Sequence, residues 1–103
     1  MHLQDLPSRL LRDLCAVGKA ASSDGVRLFV FGSFARGDAR PNSDLDLGFE
    51  IATESPSRIA AIHRLQAGVA NLPTIRPIEL VDFDRVTPQF RAQASRMIVP
   101  LAG

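Results

Sequence analysis

The chain holds one cysteine, Cys15, one lysine, Lys19, and two histidines far apart, His2 and His63. A lone thiol cannot close an internal disulfide, and without a Cys/His cluster there is no zinc site. No stretch approaches the about 18 apolar residues of a membrane span. The opening Met1-His2-Leu3-Gln4-Asp5 has neither the basic start nor the apolar centre of a secretory signal. A soluble, reduced, cytoplasmic protein with no membrane partner is expected. Charge of one sign is also scarce. Twelve Lys and Arg against eleven Asp and Glu leave a formal net charge of +1, without the basic footprint of a duplex-DNA binder. There is no internal repeat, low-complexity tract or evident linker. A P-loop is excluded because no Gly-Lys-Ser/Thr occurs. Ser33 is not in a Gly-x-Ser-x-Gly elbow. An EF-hand counted from Asn42 would need Gly and Glu where Leu47 and Thr53 stand.

What is present fits one domain spanning residues 1–103, with 46% hydrophobic residues to build its core. Leu6, Leu10, Leu14, Val17 and Ala21 recur at helical spacing, with Leu3 extending the stripe and Leu11 widening it. Pro7 belongs in the first turn of that helix. Val26–Phe31 reads as a buried strand, Ser33–Gly37 as a short helical turn and Asp38–Asn42 as a loop. Asp44–Ile51 alternates polar and apolar residues as a strand does. Ser55-Pro56 opens a second helix with Ile59, Ile62, Leu65, Val69 and Leu72 as its buried stripe. Ile78–Phe83 is a third strand and Thr87-Pro88 starts a last helix carrying Phe90 and Ala94. Met97–Val99 adds an edge strand that Pro100 stops. The expected class is α/β, a small mixed sheet packed with helices. Cys15 is read as a small core residue, His63 as a packing residue beside its helix stripe, and most arginines as solvated surface groups.

The densest chemistry lies in Gly32-Ser33-Phe34-Ala35-Arg36-Gly37 and Ser43-Asp44-Leu45-Asp46-Leu47. A strand running into Gly-Ser and a helical turn leaves backbone N–H donors free, and these favour a phosphate. Gly32 lets the backbone approach a ligand and the Ser33 hydroxyl adds a donor. Asp44 and Asp46, two apart on a strand, face the same way. Either they are the solvent side of an edge strand, or a divalent cation relieves their repulsion. Mg²⁺ favours such carboxylates together with substrate phosphates. Arg36, taken by itself, reads as a structural partner of Asp38 or of a helix end.

These two segments resemble the signature of the minimal nucleotidyltransferases of the polymerase-β-like superfamily: Gly-Ser, a small-Arg-Gly stretch, then Ser-Asp-x-Asp-hydrophobic. The resemblance implies a polymerase-β-like nucleotidyltransferase fold and a Mg²⁺-dependent transfer of a nucleoside monophosphate, AMP from ATP, to a hydroxyl acceptor. It implies Asp44, Asp46 and Glu79 as catalytic metal ligands for two Mg²⁺ ions, and Gly32, Ser33 and Arg36 as nucleotide-binding residues. Stand-alone members of this family are often antitoxins that pair with helical HEPN-domain ribonuclease toxins and adenylylate them on a tyrosine. A HEPN-type partner is therefore expected, or self-association when it is absent. The apolar first helix and the Met97–Leu101 tail are taken as uncovered surface. The rival reading is a non-catalytic module that neutralises its partner by occlusion.

The third acid departs from the family's aspartate. Ile78-Glu79-Leu80-Val81-Asp82-Phe83 offers Glu79 and Asp82. The Gly-Ser turn ends the first strand while Asp44 and Asp46 begin the second, so these two should run antiparallel. A helical crossover returns the chain to a third strand parallel to the second, whose entry end lies beside the site. Glu79 is then near the site. Asp82 is about 10 Å further along and on the opposite face.

Overall fold

A computed structural model describes residues 6–40, 42–51 and 57–101. The proposed helix start at Ser55-Pro56, the contribution of Leu3 and the role of Pro41 lie outside these residues. The element order is α1 (Ser8–Ser23), β1 (Val26–Phe31), α2 (Ser33–Arg36), β2 (Leu45–Ile51), α3 (Ser57–Ala70), β3 (Ile78–Asp82), α4 (Pro88–Ala94) and β4 (Val99–Pro100). The sheet order is β3-β2-β1-β4, with β2 and β3 parallel and the other pairs antiparallel. A parallel pair needs a crossover, and α3 supplies it.

Side-chain alternation divides the sheet into two unlike faces. Val26, Leu28 and Val30 of β1 join Leu45, Leu47 and Phe49 of β2 in the main core. Leu6, Leu10, Leu14 and Ala21 cover that face from α1, and Ala61 and Leu65 from α3. The helix α1 begins after Pro7, as its missing N–H allows, and the Leu11 N–H donates to the Pro7 carbonyl at 2.9 Å. The opposite face is aromatic. Phe29, Phe31 and Phe83 form a second cluster with Val81, Ala94 and Ile98. Their rings meet edge to face, with Phe83 centroids 4.8 Å from Phe29 and 5.1 Å from Phe31. Gly48 makes this possible: a Cβ there would lie 2.5 Å from the Phe29 ring and 2.6 Å from that of Phe83.

Four expectations are corrected. Cys15 is exposed, because it follows Leu14 by one residue and so lies about 100° around the helix from the stripe. The Leu6, Leu10 and Leu14 face of α1, with Leu101, is buried in the chain's own core and is not an uncovered patch. Ile59 is 65% exposed, and Arg58 takes its inward place at 6%. The Arg58 guanidinium donates to Asp82 at 2.6 Å and to Asp84 at 3.1 Å, so a two-carboxylate acceptor at the end of β3 and just after it draws Arg58 inward. Finally, Pro100 does not stop the edge strand but sits in it. It pairs with Phe29, on the outermost strand, where its missing N–H costs no ladder bond.

Candidate active site

The site forms where β1 ends and β2 begins. The register pairs Phe31 with Asp46 and Asp46 with Glu79. Asp46 therefore stands between the end of β1 and the entry of β3, on the aromatic face. Asp44 precedes β2 by one residue and is exposed. Glu79 is exposed and Asp46 half-buried. Burial first, then the charges of Glu79 and Asp44, push the Asp46 carboxyl above the usual carboxylate range, and Arg36 acts in the other direction. Asp82 lies on the other face, held by Arg58 and by Arg85 at 3.4 Å. The strand directions and register deduced from the sequence are those observed.

Gly32 sits against this carboxylate. Its backbone has φ 73° and ψ −150°, a combination that side chains exclude. A Cβ there would meet Asp46 Oδ2 at 2.1 Å. The close approach holds the chain's turn into α2 directly beside the acidic centre. In α2 the first helical bond is Arg36 N–H to the Gly32 carbonyl, 3.0 Å, so the N–H groups of Ser33, Phe34 and Ala35 have no helical partner. Arg36 pairs with Asp38 at 3.3 Å on the surface while its charge also acts on Asp46. The pair with Asp38 is the reading of this arginine that the geometry shows.

A cavity of about 730 Å³ opens over these groups, within the size range of small-ligand sites. Its polar end is Gly32, Ser33, Arg36 and Asp46. Its other end is formed by Phe31 and by the Phe90, Ala94 and Met97 side of α4 and the following turn, with Gln93 and Arg96 alongside. Asp44 and Glu79 do not line it. Among the described residues no three His, Cys, Asp or Glu side chains close into a metal centre. The donor set nevertheless suits Mg²⁺, which binds hard oxygens and takes part of its shell from water and substrate phosphates.

Sequence reasoning missed Arg76. Its guanidinium donates to the Ser43 carbonyl at 2.6 Å and lies 5.1 Å from the Phe34 ring centre. It thereby ties the approach to β2 onto α2. It missed Arg91 as well, which pairs with Glu50 and donates to the Phe83 carbonyl at 2.8 Å, pinning α4 to the sheet. Neither has a local signal, since each arginine's partners come from distant strands or loops. His63 is exposed on α3.

The family model described as polymerase beta, nucleotidyltransferase matches residues 21–99, and the chain belongs to that family. Its α/β architecture is the polymerase-β-like nucleotidyltransferase fold. A crystal structure of a toxin–antitoxin with AMP-PNP is similar in fold, with TM-score 0.52 and 19% identity over 86% of this chain and 73% of that one. A Sulfolobus solfataricus structure described as a nucleotidyltransferase gives TM-score 0.46 and 18% identity over 89% of this chain and 78% of the other. A search of curated proteins finds no match. No helix among the described residues is long and apolar enough to cross a membrane.

Proposed function

We propose that this chain is one minimal, cytoplasmic nucleotidyltransferase domain that binds ATP with Mg²⁺ and moves AMP to a hydroxyl, acting as the antitoxin of a helical HEPN-type toxin. The observation that carries the reading is the seating of Asp46 against Gly32 at the polar end of a nucleotide-sized cavity, with Glu79 its register partner on the next strand. The similar toxin–antitoxin fold with AMP-PNP supports a nucleotide as ligand and a toxin as partner.

Asp44, Asp46 and Glu79 would hold Mg²⁺ together with the triphosphate. Burial, and after it the charges of Glu79 and Asp44, hold the Asp46 carboxyl above its usual range, and a cation beside it would relieve both. When bound, the metal supplies activation of the attacking hydroxyl and neutralisation of the leaving group. The chain's own part is binding and orientation. The free N–H groups at the start of α2 and the Ser33 hydroxyl receive phosphate oxygens, and Arg36 turns from Asp38 toward the phosphate chain. In the transfer, the acceptor oxygen bonds to the α-phosphorus as the bond to the bridging oxygen breaks. Pyrophosphate leaves with that electron pair, and the hydroxyl proton passes to solvent.

The test is incubation with α-labelled ATP, Mg²⁺ and a candidate helical toxin. Label should appear on a toxin tyrosine with the wild-type protein and not with Asp46→Asn. Partner neutralisation that persists unchanged in Asp44→Ala, with no label transferred, would replace this reading by occlusion. The exposed, unconverged Asp44 and Glu79 are the observation that favours that second reading.

A further inference from the structure

The apolar end of the cavity is unexplained by phosphate and metal binding. Phe90 is 41% exposed at its mouth and Met97 is 51% exposed beside it. Large apolar groups left open next to an available core mark a surface that something else covers. Phe90, Gln93 and Ala94 are spaced i, i+3 and i+4 on α4, and Met97 follows in the turn just beyond it. They line the cavity together with Phe31.

The Phe90 ring is also firmly supported. Its centroid lies 6.1 Å from Phe31 and 5.8 Å from Phe83, both at steep angles. Thr87 caps the helix by accepting from the Phe90 N–H at 3.2 Å. Arg91, the next residue, fastens α4 to Glu50 and to the Phe83 carbonyl. Ala94 keeps the space beside the ring free. A nucleotide has a charged end and a flat apolar end, and this one cavity has both in continuity.

We propose that Phe90 is the stacking platform for the nucleobase of the bound nucleoside triphosphate, with Met97 closing the apolar end and the Gln93 amide facing the base edge. Phe90 then holds the base by its face, which all bases share, and Gln93 is the specificity-determining residue. The inference rests on the nucleotide reading above and adds the position of the base. Gln93 suits the task because its amide both donates and accepts hydrogen bonds.

Tripolyphosphate, which has no base, separates the two ideas. Calorimetry with Mg²⁺ should show Phe90→Ala weakening ATP by about 5- to 150-fold, as loss of a stacking ring does, with tripolyphosphate affinity unchanged. The sequence contains no Trp and no Tyr, so Phe90→Trp introduces the sole indole. Its fluorescence should be quenched by MgATP and not by magnesium tripolyphosphate, which reports stacking even if Phe90→Ala folds poorly. ATP binding without quenching, or equal losses for ATP and tripolyphosphate, overturns the base position while the nucleotide reading stands. Binding of neither ATP nor tripolyphosphate by the wild-type protein overturns both.

Discussion

Exchanging Gly32 for alanine isolates the close approach on which the site depends. With φ 73° and ψ −150°, an L-residue at this position pays about 1–3 kcal/mol in backbone strain. Its Cβ would also stand 2.1 Å from Asp46 Oδ2 and 3.0 Å from Cγ, so the carboxylate must turn away. Overpacking costs about 1–3 kcal/mol, and the lower end applies because Asp46 can swing into the cavity. Together these give about 2–4 kcal/mol, which a domain stable by roughly 5–15 kcal/mol survives. The melting temperature should fall on the order of 10–20 °C. Urea denaturation measures the loss directly. Gly25 is the control, with φ 77° and nothing within 4 Å of an added Cβ. There alanine pays the backbone cost alone, about 1 kcal/mol. In a double-mutant cycle, Asp46→Ala should return about 1 kcal/mol of the Gly32→Ala loss. A Gly32→Ala cost no larger than that of Gly25→Ala, with no coupling to Asp46, would refute the contact.

The remaining predictions concern the acids and their partners. Glu79→Gln should weaken Mg²⁺-dependent ATP binding at least about tenfold, the scale of a lost metal-site group. Asp82→Asn should leave that affinity alone and lower the melting temperature, since Arg58 loses a partner; the reverse ranking would contradict the register. Arg58→Ala should melt well below Arg85→Ala in differential scanning calorimetry, because Arg58 is inward-facing and doubly bonded whereas the Arg85 side chain is 72% exposed. In metal-free protein the crowded Asp46 holds its proton in the folded state over a range where the unfolded chain has lost it. Stability therefore falls as pH rises from the unfolded to the folded pKa, and the deficit persists at neutral pH. Asp46→Asn should thus melt above wild type in chelator at about pH 7, and the gap should close in strong acid, near about pH 3.

The directions of the first three strands were legible in the sequence because local signals agreed with the global fold, whereas the pairing of β4 with β1 had no local signal. Pro7 and Thr87-Pro88 marked helix starts, and the Gly-Ser turn marked the end of β1. The alternation from Asp44 to Ile51 marked a half-polar strand, which in the structure begins one residue later and leaves Asp44 outside it. From the strand directions alone, Glu79 could be set beside Asp46 and Asp82 on the opposite face. Arg58 shows what was not legible. Residues 58 and 59 both continue the α3 stripe at helical spacing, and apolar character favours Ile59. The carboxylates of Asp82 and Asp84 reverse that preference, and no window around α3 contains them. The aromatic end of the cavity was hidden for a similar reason. Phe31 and Phe90 lie far apart in the chain, and they share a face only where the ring contacts and Arg91 hold α4 on the sheet.

The central claim is that the Asp46 centre binds nucleotide and divalent cation as one unit. Calorimetric titration of ATP with Mg²⁺, and then with chelator, addresses it most directly. The account predicts clear binding with Mg²⁺, much weaker binding without it, and loss of that difference in Asp46→Asn while the fold is retained. Equal affinity with and without the metal, unaltered by Asp46→Asn, would contradict it.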